Sequence, residues 1–168
     1  DKSIQYMDMS SKALPENAAI ATKLALLYDA KQDEPHARTY YEKALKIDQN
    51  NPLVLNNLAY LIAETNGDYT LALSYATQAK QRLPTFLEVK DTIGWIYMKK
   101  NMPESAIDEL KPLVQQAPLN PIYHYHYAMA LNQKGDTINA KAECQLALAN
   151  RPSKELENQI HILQASLK

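Results

Sequence analysis

One cysteine, Cys144, and three glycines are all that this chain of 168 residues holds of either type. A single thiol excludes an internal disulfide framework, and there is no Cys cluster to hold structural zinc. So few glycines rule out a glycine-rich phosphate cradle. Charge of one sign is missing too: 18 Lys and Arg face 19 Asp and Glu, a formal charge of −1, so no broad field draws the chain to nucleic acid or an anionic membrane surface. No apolar run approaches the roughly 20 residues of a membrane-spanning helix, and the longest, near Leu24, is broken by Lys23 and Asp29. What the chain does have is 46% apolar against 22% charged residues, enough to bury a core and too apolar for a disordered segment. Nine prolines suggest helices punctuated at intervals.

The intervals are regular. Pro84, Pro118 and Pro152 lie 34 apart, and so do Ala72, Ala106 and Ala140 from a different column. A third column of small residues, Ala25, Ala59, Gly94 and Ala128, steps by 34, 35 and 34, and Ala37 to Ala72 also steps by 35. One residue is therefore inserted between Ala59 and Ala72, which places it in the turn Thr65-Asn66-Gly67-Asp68. A period of this length marks a repeat architecture in which each unit is one supersecondary element.

The units are 18–51, 52–86, 87–120 and 121–154, each with two apolar-periodic stretches separated by a turn, which predicts a helical hairpin. In the last unit Gly135 supplies the positive φ that ends one helix and Asp136 caps the next. Asn66-Gly67-Asp68, Asp33-Glu34-Pro35 and Asn101-Met102-Pro103 carry equivalent stop-and-start chemistry, with Pro placed in the first turn, where its missing N–H costs nothing. Pro112 falls inside the third unit's second helix, crowds the carbonyl of Asp108 and predicts a kink.

These residues resemble the tetratricopeptide repeat. The first helices carry a small residue (Ala25, Ala59, Gly94, Ala128) after Leu24, Leu58, Ile93 or Tyr127, and a bulky one three positions later (Tyr28, Ile62, Tyr97, Leu131). The second helices carry Ala pairs seven apart, Ala37/Ala44, Ala72/Ala79 and Ala140/Ala147, followed by Pro. The third unit departs with Leu113 opposite Ala106, and the first with Gln49 in the proline column. The resemblance implies an all-α fold, a right-handed superhelical solenoid of helix-turn-helix repeats. Residues 1–17 then hold the second helix of a preceding unit whose first helix is absent. The chain thus reads as a piece of a longer array, and its start carries no cellular address. Residues 155–168, with the stripe Leu156, Ile160, Leu163 and Leu167 opposed by Glu157, Asn158, Gln164 and Lys168, read as the helix that covers the last hydrophobic face.

No catalytic or metal site is expected, and no cofactor. His124 and His126 are two apart on one predicted helix, about 200° round its axis, so both cannot chelate one ion. His36 and His161 belong to other units, and all four are read as surface or groove histidines. Cys144 falls in a column that the repeat buries, away from the electropositive, accessible surroundings a reactive thiol needs. What remains is surface. A second stripe on each first helix, at spacing i, i+3, i+7, i+10, lines the concave side in this architecture. It reads Ala19, Thr22, Leu26, Asp29; Leu53, Asn56, Tyr60, Ala63; Glu88, Asp91, Trp95, Met98; Ile122, Tyr125, Met129, Asn132. Its middle is apolar and aromatic, so either neighbouring helices cover it or a partner does.

The resemblance implies a protein-interaction module, without enzymatic activity, that holds a peptide or protein in its concave groove. Asn56, Tyr60, Asp91, Trp95, Met98, Tyr125, Met129 and Asn132 are its candidate contacts. Glu88 and Asp91 stand where a clamp for the acidic tails of heat-shock chaperones would need cations, which argues against that ligand. Asn56-Asn57-Leu58-Ala59-Tyr60, Asp91-Thr92-Ile93-Gly94-Trp95 and Tyr123-His124-Tyr125-His126 also resemble repeats of bacterial exopolysaccharide and exosortase systems, implying a periplasmic or secreted adaptor for envelope export. The alternative is a structural spacer that positions other domains or self-associates through its ends. The uncovered row Ile4, Met7 and Leu14 predicts weak dimerisation through the N-terminal helix.

Overall fold

The structure, a computed structural model, describes residues 2–65 and 67–167. Among them are ten α-helices and no strand: α1 (Lys2–Ala13), α2 (Ala18–Asp29), α3 (Glu34–Ile47), α4 (Pro52–Glu64), α5 (Tyr69–Arg82), α6 (Leu87–Lys99), α7 (Pro103–Gln116), α8 (Pro121–Lys134), α9 (Thr137–Ala149) and α10 (Lys154–Ser166). They form two compact units, one ending at Thr85 and one starting at Phe86. Asn66 of the expected inserted turn, and Lys168 of the closing helix, lie outside the described residues.

Most helices start where a short polar side chain accepts from the first turn's exposed amides. Asn17, Asn51 and Asn120 cap the first helices of their hairpins; Asp33, Asp68 and Asp136 cap the second; Ser153 caps α10. These caps recur with the repeat period, and one hairpin breaks both columns. Phe86 before α6 and Met102 before α7 stand where the others have Asn and Asp, and neither makes a side-chain cap bond. The expected start chemistry at Asn101-Met102-Pro103 therefore comes from Pro103 alone.

The turns inside the hairpins share one hydrogen-bond pattern. Asp33 N–H donates to Tyr28 O, Met102 N–H to Tyr97 O and Asp136 N–H to Leu131 O, each closing over a residue in the left-handed region: Gln32 (φ 59°), Asn101 (56°) and Gly135 (90°). Only the last is glycine. At the fourth turn the Gly67 amide closes onto Ile62 O at 2.9 Å, and a Cβ on Gly67 would lie 2.6 Å from that oxygen. Glycine is needed there for close approach.

Unit 1 packs hairpin α2–α3 on α1 and hairpin α4–α5 on α3. Its core holds Leu24, Tyr41, Leu58 and Ile62. The Tyr41 hydroxyl donates to Asp29 at 2.9 Å and accepts from Asn57 at 3.3 Å, so this large buried side chain has its polar end satisfied. The second helices α1 and α3 are tied by the Tyr40 hydroxyl to Asp8 (2.8 Å) and by Lys43 to Ser11 (3.0 Å).

Unit 2 packs α6 on α7, α7 on α8 and α8 on α9; α6 also meets α8, and α10 lies on α9 and α8. Leu110, Leu113, Ala128, Cys144 and Ile160 form its centre. Gly94 sits so close to α7 that a Cβ there would come 2.6 Å from Leu110 Cγ, so the small column lets these helices approach where a bulky side chain faces them. α7 continues through the exposed Pro112, whose ring nitrogen cannot donate to Asp108. On α10 and at its end, Leu156, Ile160 and Leu167 are buried and Leu163 is half-buried.

Candidate functional site

The candidate contacts divide between the units. On α4 of unit 1, Tyr60 is 39% exposed, whereas Asn56 is buried and its Oδ1 finds no hydrogen-bond partner. An orphaned buried acceptor costs about 1–3 kcal/mol, and Asn56 Nδ2 donates to Asn57 Oδ1 at 3.4 Å, so this amide is covered and not presented outward. The other six lie on α6 and α8 of unit 2, in and around one cleft.

That cleft, about 370 Å³, runs between α6, α8 and α10. Trp95, Met129 and Leu163 supply its apolar walls and the buried Met98 its floor; Lys99, Asn132 and Gln133 stand on its rim. Helical spacing explains the arrangement: Trp95, Met98 and Lys99 are three and four positions apart on one face of α6, as are Met129, Asn132 and Gln133 on α8. Gln133 is fixed by donating to Met98 O (3.2 Å) and Asn101 Oδ1 (3.0 Å). Lys99, Gln133 and Leu163 were not among the candidates. Lys99 could have been found as the residue four beyond Trp95, but Leu163 is brought in only by the way α10 folds back.

Two side chains lie against Trp95. The Lys99 ammonium sits 4.9 Å from its ring centroid, a cation–π distance, and the His126 imidazole lies 4.9 Å away on the α8 side at 36°. His126 is in turn anchored through Nδ1 to Asp91 Oδ1 at 2.8 Å, so Asp91 acts by orienting the imidazole against the indole. Tyr125, half-buried, leans against the same imidazole at 5.7 Å.

The reading of His124 and His126 as surface or groove residues is corrected: both are buried. His124 Nδ1 meets Glu143 at 2.6 Å and Nε2 meets the Pro118 carbonyl at 2.9 Å. Both ring nitrogens face acceptors, which suits the imidazolium. The hydrogen bond to Glu143 raises the His124 pKa above its ordinary 6.5, burial opposes this, and the Pro118 carbonyl and the charge of Glu143 add to the rise. The two histidines turn to different helices, and among the described residues no group of three or more metal-ligating side chains comes together. Cys144 is fully buried, and burial, then the Glu143 charge, pushes its thiol up to about 11. A thiol so protonated is a poor nucleophile at neutral pH.

A larger hollow, about 440 Å³, lies in unit 1 between α3 and α5, against Leu45, Leu55 and Tyr75. Its mouth mixes Glu42, Lys46, Gln49 and Gln78.

Family models of the tetratricopeptide repeat match residues 18–51, 40–74 and 92–155. The chain belongs to the tetratricopeptide repeat family. Solved tetratricopeptide repeat proteins share its fold. A thermophilic TPR protein of Thermus thermophilus superposes with a TM-score of 0.81 at 21% identity, covering 89% of this chain and 82% of that one. Pseudomonas aeruginosa PilF gives 0.73 at 19%, over 96% and 78%. PilW, a type IV pilus biogenesis factor, gives 0.77 at 17%, over 86% and 66%. No curated protein matches the chain by sequence. Tetratricopeptide repeats in general are non-catalytic protein-interaction modules, so a protein partner is the expected ligand class. No helix among the described residues is long and apolar enough to cross a membrane.

Proposed function

We propose that this chain is a non-catalytic adaptor that holds a protein partner by inserting one of the partner's apolar side chains into the unit 2 cleft. The observation that carries this is Trp95: half-buried, in contact with both Lys99 and His126, and forming the wall of an open apolar cleft. A rigid aromatic beside apolar walls loses little side-chain entropy on binding and is the usual anchor of an interface. The cleft volume lies near the lower end of the range for ligand pockets, which suits one large side chain of an extended or helical segment. The Asn132 amide on the rim carries both a donor and an acceptor for the segment's backbone. Tyr60 on α4 is a second, separate contact of the same kind in unit 1.

The broader role we propose is an adaptor in bacterial envelope assembly, in keeping with the fold it shares with a pilus biogenesis factor. Selection from a displayed library of random twelve-residue peptides tests the binding reading. Bound sequences should share one large apolar residue, and on adding them the methyl resonances of Met98 and Met129 should shift. Selected peptides that leave both methyls unmoved would place the site elsewhere, and failure to select any would favour the spacer.

A further inference from the structure

The cleft of unit 2 is built on one column of the repeat. Trp95, Met129 and Leu163 lie 34 residues apart, at the same place on α6, α8 and α10, and all three are half-buried. Because α6 meets α8 and α8 meets α10, the three form a ladder running across the helices, one apolar rung from each. Packed helices stand about 8–10 Å apart, so a segment lying along the ladder meets a rung at about that interval.

That interval selects a backbone. Along a β-strand, residues of one face recur about every 6.6 Å, so the next two fall at about 6.6 and 13 Å and miss the rungs. An α-helix brings one face back at about 10.5 Å only after seven residues, with the side chains at three and four crowded between onto the same wall. A polyproline II segment turns once in three residues at about 3.1 Å each, so residues three apart share a face at about 9.3 Å. Charge narrows the choice further. One turn beyond Trp95 and Met129, Lys99, Asn132 and Gln133 form a polar flank, and among the described residues that line the cleft Lys99 is the one charged side chain. The Asp91 carboxylate of the same helix is bound to His126. The cleft therefore offers a ligand positive charge, which complements a carboxylate.

We propose that the occupant of this cleft is a proline-rich segment of a partner protein in the polyproline II conformation, with apolar residues at every third position over two turns and an acidic residue beside the one that meets Trp95. This rests on the reading of the cleft as the partner site and names its ligand. Each apolar side chain seats on one rung, and the carboxylate pairs with Lys99. Proline presets the extended backbone, so the segment loses little entropy on docking against an aromatic wall.

The test uses the full chain and the end-blocked peptide Pro-Leu-Glu-Pro-Leu-Pro-Pro-Leu-Pro, followed through the fluorescence of Trp95, the single tryptophan. Saturation below about 1 mM is expected, and a peptide of the same composition with its leucines two apart, Pro-Leu-Glu-Leu-Pro-Leu-Pro-Pro-Pro, should bind at least about tenfold more weakly. Lys99→Gln in the protein should weaken the first peptide about threefold and leave unchanged a version with Gln in place of its Glu. Equal affinity for the two spacings, tighter binding of a helix-forming peptide with leucines seven apart, or no saturable change at millimolar peptide would overturn the proposal. Library-selected peptides that shift the Met129 methyl where this one does not bind would leave the cleft a partner site and remove only its polyproline ligand. If neither kind of peptide shifts Met129, the partner-site reading fails as well.

Discussion

The junctions α1–α2 and α7–α8 occupy the same place in the repeat and differ in one respect: α6 lies across the second and no described helix across the first. Under α6, Leu110 is 0% exposed and polar residues such as His126 are buried with a specific carboxylate partner; without such a helix, Met7 is only half-buried and Lys23 is exposed. The same column is thus core at Tyr41, Ala76, Leu110 and Cys144 and only half-buried at Met7. Burial in this fold is set by the neighbouring helix, which periodicity alone does not supply.

The contrast can be sharpened by truncation. Leu110→Ala removes a fully buried side chain from a tight contact with Gly94 and should cost about 2–5 kcal/mol in urea unfolding. Met7→Ala, in the equivalent column, should cost less, about 1–2 kcal/mol, because Met7 is only half-buried. Equal losses would mean that the two junctions are equally covered.

Trp95 is the single tryptophan and lies in unit 2, so its fluorescence reports that unit's unfolding. His124 titrates above its ordinary value in the folded chain, so its contribution is complete below pH 6.5 and is lost as pH rises through the raised pKa. Unit 2 should therefore lose stability as pH rises above 6.5 through that raised pKa, and Glu143→Gln should flatten that slope. A stability that rises over this interval would show that His124 folds as the neutral imidazole.

Smaller effects come from places where one hairpin departs from its siblings. Met102→Asp restores the cap that Asp33, Asp68 and Asp136 supply elsewhere and should raise stability by about 1 kcal/mol by thermal unfolding. Gln32→Gly relieves a left-handed residue where the α8–α9 hairpin has Gly135, and should add about 0.5 kcal/mol by the same measurement.

The hairpins were legible in the sequence because small residues, caps and prolines recur in separate columns with one period, and each column reports a local requirement. The buried histidines were not, since their partners are remote: Asp91 lies one repeat before His126, and Glu143 lies on the next helix from His124. A polar residue on an apolar face signals burial only when a carboxylate one repeat away is read with it. Asn56 was misleading for the opposite reason. Its position in the stripe is one that points toward the groove by spacing, but here the side chain is covered and its oxygen left unpaired.

The central claim, that the Trp95 cleft is where a partner binds, is tested most directly by titrating a library-selected peptide into the wild-type chain and into Trp95→Ala by calorimetry, with circular dichroism on both. The account predicts a loss of at least about 2 kcal/mol of binding free energy with helicity nearly unchanged. Affinity left intact, or a Trp95→Ala chain that unfolds while the partner still binds its folded fraction equally well, would show that Trp95 is core and contradict it.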